Sequence, residues 1–238
     1  MKLDILVIAA HPDDAELSCS GTIAAHIANG YKVGILDLTQ GEMGTRGTPA
    51  IRLEEGQRSA KILNLSAREN LGFRDVFFVD DEQHHLEIVK ILRKYQPDIV
   101  LANAVSDRHP DHSKGAIIAS KACFMSGLRK IDTLMDGKIQ EAWRPKHIYH
   151  YIQNNYIQPD FVVDISKYWD VKIQSIKAFK SQFYDPTSNE PESFISRPEF
   201  MDFVEARGKE FGHSINVQYG EGFTVEKMIG INSLFDLK

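Results

Sequence analysis

A short, strongly apolar run over residues 3–9, rich in Ile, Leu and Val, constrains this chain more than any other feature. Such a run, buried on both faces, is what a strand of a parallel sheet requires. Residues 14–29 predict a helix. Leu17, Ile23 and Ile27, with the small Ala24 and Ala28, suit a face packed on a sheet, and Asn29-Gly30 ends it. Residues 31–39 predict a second strand through Val33, Ile35, Leu36 and Leu38. Together these form a βαβ unit with a right-handed crossover, which commits the chain to an α/β fold.

The alternation continues. Residues 40–49, with Gly41, Gly44 and Gly47, predict a flexible loop, and 50–64 and 82–95 predict helices. Residues 98–102 predict a third strand and 112–125 a helix. Strands are expected at 147–152 and 161–165, then a helix over 167–180. Residues 181–197 predict a loop, 198–212 a helix and 219–222 a glycine-rich turn. The expected architecture is one Rossmann-like, three-layer α/β domain spanning 1–238, its mostly parallel sheet covered on both faces, with a C-terminal elaboration over about 181–238.

Composition narrows the functional class. The 238 residues carry 28 Lys+Arg against 33 Asp+Glu, and this net charge of −5 speaks against a nucleic-acid binder. No apolar run reaches the roughly 18 residues of a membrane span. The N-terminal run is too short for a signal peptide and lacks a small-residue cleavage site. Cys19 and Cys123 are too few for a disulfide framework or a cysteine-built zinc site. The expectation is a cytoplasmic protein without a membrane or nucleic-acid partner.

The chemistry lies in two clusters. Ala10-His11-Pro12-Asp13-Asp14 follows the first strand, where open α/β sheets bind ligands. A phosphate site would place glycines there; this chain places an imidazole and two carboxylates, which suit a divalent metal. Ser106-Asp107-Arg108-His109-Pro110-Asp111-His112 follows the third predicted strand. In a parallel sheet both clusters reach the same edge. Two histidines and a carboxylate from these loops make a catalytic zinc shell with room for water. An adjacent carboxylate then serves as base for that water, and a spare histidine donates to the oxyanion or leaving group. Spacing leaves open which Asp and which His takes which part.

His11-Pro12-Asp13-Asp14-Ala15-Glu16 with Gly21-Thr22, and His109-Pro110-Asp111-His112, resemble the two motifs of the LmbE-like, or PIG-L, family of zinc-dependent N-acetylglucosamine deacetylases. The resemblance also takes in Gly41 to Gly47, Arg52 to Glu55 and Tyr219-Gly220-Glu221-Gly222-Phe223, and so spans nearly the whole chain. The Gly-Thr-Arg-Gly loop and the Tyr-Gly-Glu-Gly-Phe segment resemble the bacillithiol-pathway branch, which deacetylates N-acetylglucosaminyl malate. Ser18-Cys19-Ser20 departs from the glycines of close relatives, within the predicted first helix.

The resemblance implies roles by position. His11, Asp14 and His112 match the zinc ligands, with iron(II) as an alternative ion. Asp13 matches the general base, and His109, protonated, the stabiliser of the tetrahedral intermediate. Asp111 matches the carboxylate that orients the active-site imidazole. Arg52 matches a substrate-binding arginine. Arg108 and Arg46 are placed to meet malate carboxylates, for which a guanidinium fork is suited. Tyr219 and Glu221 are further substrate-binding candidates. The resemblance also implies a homo-oligomer, hexamers included. Other readings are a deacetylase of a different N-acetylglucosamine conjugate, an amidase of a thiol conjugate, or a non-catalytic sugar- or metal-binding module.

Overall fold

Strict alternation along the first strand sets the layering. In β1 (Ile5–Ala9), Leu6 and Ile8 point to one side of the sheet, and Ile5, Val7 and Ala9 to the other. All five are buried, so both faces must be covered. The computed structural model describes residues 1–236 and shows how this is done.

The predicted βαβ unit is present as β1, α1 (Asp14–Ala28) and β2 (Val33–Thr39). The chain continues through α2 (Pro49–Leu63), β3 (Ala67–Phe73), α3 (Glu82–Tyr95), β4 (Ile99–Ala102) and α4 (Pro110–Ser126). A small hairpin, β5 (Leu134–Met135) and β6 (Lys138–Ile139), precedes β7 (His147–Tyr151) and β8 (Phe161–Asp164). Then come α5 (Trp169–Lys177), α6 (Phe200–Ser214) and β9 (Gly220–Val225). The main sheet runs β3-β2-β1-β4-β7-β9-β8. Its first five strands are parallel, while β9 runs antiparallel between β7 and β8. Side chains of α3 and α4, including Ile88, Leu92, Ile118 and Ala122, pack with Leu6 and Ile8 on one face. Ala15, Cys19 and Ile23 of α1 pack with Val7 on the other. This is the expected mixed α/β architecture with a large, mostly parallel sheet.

The β5–β6 hairpin was not expected from the sequence, and two strands of the main sheet also depart from that reading. β3 was not expected, because its middle is Arg68-Glu69-Asn70 and it lies half-exposed at the sheet edge. β9 replaces the expected glycine-rich turn. A Cβ on Gly220 would come within 2.5 Å of Val162, and one on Gly222 within 3.0 Å of Phe211. These glycines let β8 and α6 approach a strand; they do not reverse the chain. Among the described residues no helix is long and apolar enough to cross a membrane.

β1 and β4 are parallel neighbours, with Val7 opposite Leu101. Their carboxyl ends therefore open on one edge, and the loops that follow carry the two His/Asp clusters.

Candidate active site

The loop after β1 turns sharply into α1. Asp13 stands at the helix N-terminus with φ 117°, a left-handed conformation rare for any residue with a side chain. His11, Asp13 and Asp14 are all buried. The loop after β4 enters α4 at His109, with Pro110 at the first helical position.

The Asp14 carboxylate stands between the clusters. Its Oδ1 lies 3.0 Å from His112 Nε2, and its Oδ2 lies 3.5 Å from His11 Nδ1. His109 completes the group: its ring centroid is 4.7 Å from that of His11 and 5.0 Å from that of His112. Ligand atoms of His11, His109 and His112 fall within 4.8 Å of one another, as do those of His11, Asp75 and Asp111. Two imidazoles and a carboxylate facing each other in a buried pocket suit a divalent transition ion. Partners around these donors fix their orientation. Asp107 accepts from His112 Nδ1 at 2.6 Å, leaving Nε2 to face Asp14. Asp75 lies 3.0 Å and Asp111 3.4 Å from His11 Nε2. Asp14 accepts from the Asn103 amide at 3.0 Å and the Gln153 amide at 3.1 Å.

Electrostatics follow from burial and these contacts. Burial opposes the charged form of His11, but hydrogen bonds to Asp111, Asp14 and Asp75 outweigh it and raise its pKa well above the ordinary value. His112 is likewise penalised by burial, yet the Asp14 charge and the Asp107 hydrogen bond push it up to about 9. Burial also opposes ionisation of Asp14, but the two imidazoles hold it well below the carboxylate range. Asp13 behaves differently. Burial raises it to about 7, against the opposing pull of the Arg52 guanidinium. His109 is lowered by burial and by its cationic neighbours. Its Nδ1 accepts the Asp111 backbone N–H at 3.3 Å, which leaves the proton on Nε2. With Nδ1 facing that backbone N–H, the Nε2 edge of His109 is the one able to donate.

The Asp111 carboxylate is held by Val76 N and Lys114 Nζ, at 2.9 and 2.8 Å, and the imidazole it faces is that of His11.

The expected substrate-binding residues divide. Arg108 is exposed, stacks its guanidinium 4.2 Å over Phe194, and lines a cleft that reaches Asp14 and His112. The other four are engaged within the chain. Arg52 is buried; it donates to Pro12 O and lies 3.2 Å from Asp13 Oδ2. Arg46 donates to Ser181 O and Ser188 Oγ, both at 3.0 Å. Tyr219 stacks on Trp169 at 4.0 Å and donates to Glu205. Glu221 accepts from Gly21 N, Thr22 N and Lys172 Nζ.

Sequence reasoning did not single out Asp75, Asn103, Asp107, Gln153 or Arg207. Arg207 lines the same cleft and packs over Phe203 and Phe211. Asn103 and Gln153 carried one usable signal: each follows a parallel strand, β4 and β7, at its carboxyl end. Asp75 and Arg207 come from segments without a motif.

Residues 6–123 match the PIG-L family, described as GlcNAc-PI de-N-acetylase. The chain is 31% identical over 191 residues to diacetylchitobiose deacetylase of Thermococcus kodakarensis, covering 75% of this chain and 70% of that protein. It is 29% identical over 199 residues to a Bacillus subtilis protein named probable N-acetyl-alpha-D-glucosaminyl L-malate deacetylase 2, covering 76% and 84%. A 4-oxalmesaconate hydratase of Pseudomonas putida is 26% identical over 193 residues, covering 74% and 73%. Among solved structures, the conserved protein TT1542 from Thermus thermophilus superposes with a TM-score of 0.85 at 35% identity, covering 97% of this chain and 98% of that one. Two of these four relatives carry deacetylase names, that is, names of amide hydrolases. Two His/Asp clusters at neighbouring strand ends and the likeness of fold and sequence agree: this chain belongs to the PIG-L family.

Proposed function

We propose that this protein is a metal-dependent deacetylase acting on an N-acetylglucosaminide, with N-acetylglucosaminyl L-malate as the leading substrate. The observation that carries the reading is the convergence of His11, Asp14 and His112 beside Asp13, at the mouth of a cleft lined by Arg108. His11, Asp14 and His112 would hold the ion, zinc or iron(II). Such an ion, when bound, polarises a carbonyl and lowers the pKa of water toward 7.

The chain's own residues do the rest. Asp13, with a pKa near neutrality, takes a proton from the attacking water at its free carboxylate oxygen. Arg52 holds the other oxygen and keeps the base aimed inward. As the water oxygen bonds to the acetamide carbon, His109 Nε2–H donates to the carbonyl oxygen, where negative charge develops. The C–N bond then breaks, the proton passes to the sugar amine, and acetate leaves. Arg108 meets a carboxylate on the aglycone, at the outer end of the cleft.

The test is chromatographic detection of the free amine after incubating zinc-loaded protein with N-acetylglucosaminyl L-malate or with N-acetylglucosamine. The malate conjugate should turn over faster, and Asp13→Ala should lower kcat by roughly 10²–10⁴-fold. Equal rates on the two substrates would sink the malate assignment and leave the deacetylase. No amine from any N-acetylglucosaminide would sink this reading and leave an amidase of a thiol conjugate or a binding module. Arg108→Ala should cost about ten- to a hundredfold in kcat/KM for the conjugate, the loss of one charge-assisted hydrogen bond. It should leave an uncharged N-acetylglucosaminide and the zinc content unchanged.

A further inference from the structure

Helix α1 is broken. Cys19 has φ −143° and ψ 15°, outside the helical region, although helix continues on both sides. A break of this kind strands backbone groups, here the carbonyls before it and the amides after it. In a buried helix those groups need partners. Both sets find them in one ion pair contributed by distant parts of the chain, with Ser20 Oγ also donating to Glu16 O at 2.7 Å. Lys172, on α5, donates to Glu16 O at 3.2 Å, to Leu17 O at 2.7 Å and to Glu221 Oε1 at 2.8 Å. Those three bonds match the three donors of an ammonium group. Glu221, on β9, accepts from Gly21 N at 3.0 Å and from Thr22 N at 2.7 Å. Lys172 is 3% exposed and Glu221 4% exposed. In a continuous helix Gly21 N would bond to Leu17 O; here the Lys172–Glu221 pair is inserted between them.

The segment on the near side of the break, 14–18, carries Asp14, and the first helical bond of α1 runs from Leu17 N to Asp13 O at 2.9 Å. Its direction is set by what holds it, since the break uncouples it from the rest of α1. On one side Glu16 receives Ser59 Oγ at 2.6 Å and pairs with Arg68. On the other stands the Lys172–Glu221 pair, which also lines the cleft.

We propose that Lys172 and Glu221 are positioning residues: they splice the broken α1 so that Asp13 and Asp14 stand at the angle the metal site and the reaction need. This rests on the deacetylase reading for its catalytic consequence, but the splice itself does not. It also gives the Tyr219 to Phe223 segment its purpose, since Glu221 reaches a residue beside the site through backbone and not through substrate. Both members lie outside residues 6–123, the part that matches the family.

The experiment compares full-length wild type with Glu221→Gln, Lys172→Met and Lys172→Arg in three measurements. Amide hydrogen exchange reads the splice without metal. In Glu221→Gln and Lys172→Met it should accelerate over residues 14–22 and leave β1 and β2 unchanged. Zinc affinity, from competition with a chelator, should weaken roughly 10–100-fold, as when an outer partner of a metal ligand is lost. Turnover of N-acetylglucosaminyl L-malate should lose kcat with KM unchanged. Lys172→Arg, which keeps donors for the carbonyls, should recover most of both. If the variants melt earlier yet retain wild-type zinc affinity and kcat, the pair only stabilises the fold and the proposal is overturned. Exchange that rises uniformly, or not at all, overturns it too. If wild type itself takes up no zinc, the deacetylase reading fails, and exchange confined to 14–22 still upholds the splice.

Discussion

Asp13 combines a left-handed backbone with a buried carboxylate whose companion is Arg52. Arg52 in turn fits because residue 41 is glycine: at φ +66°, a Cβ there would collide with the guanidinium. Since the Arg52 charge works against the upward push of burial on Asp13, its removal should raise that pKa further. Arg52→Ala should therefore shift the acidic limb of the kcat–pH profile to higher pH, with Arg52→Lys shifting it less. An unmoved limb would mean that Arg52 does not set the base. The histidines separate by role in a metal assay. His112→Ala should purify without zinc, whereas His109→Ala should keep its zinc and lose roughly 10²–10³-fold in kcat, as for a lost oxyanion donor. Without a bound metal His112 is raised from the ordinary 6.5 to about 9. A raised histidine stabilises the fold fully below its unfolded pKa and loses that contribution as pH climbs through its folded one. The melting temperature of chelator-treated protein should then fall between about pH 6.5 and about pH 9, and His112→Gln should flatten that fall.

At the level of elements, legibility followed burial. β1, β2 and β4 lie inside the sheet and announce themselves by apolar runs. The two clusters were legible because parallel strands β1 and β4 deliver both to one edge. β3 was hidden because an edge strand tolerates Arg68 and Glu69. β9 was hidden because its glycines answer to neighbours far away in sequence. The same long-range cause concealed Arg207 and the bonds of Glu221 to Gly21, Thr22 and Lys172. Gly212 on α6 shows how tight that packing is: a Cβ would lie 2.7 Å from Tyr219 N. Gly212→Ala should cost about 1–3 kcal/mol by overpacking, measured by urea unfolding. An unchanged midpoint would show that α6 can move away from β9.

Across the whole molecule, the site is assembled from both halves of the chain. Asp14, Arg108 and His112 line the cleft from the first half, and Gln153, Lys172, Arg207 and Glu221 line it from the second. The segment after α5 adds another tie, since Ser181 accepts from Arg46 and donates to Glu55. Arg46→Ala should thus loosen the 40–48 loop, seen as faster proteolytic nicking there, with kcat on a bound substrate little changed. Equal resistance to nicking would dissociate the loop from the 181–190 segment. The antiparallel β9, wedged between β7 and β8, has a consequence for biogenesis. Translation delivers the proposed ligands and base early, but the strand that joins β8 to the sheet, and the carboxylate that spans the helix break, emerge about a hundred residues after His112. A nascent chain thus holds the proposed metal ligands before the scaffold that aims them exists. Metal captured on the ribosome would meet an unshaped pocket, so maturation should proceed with folding first and metal loading second.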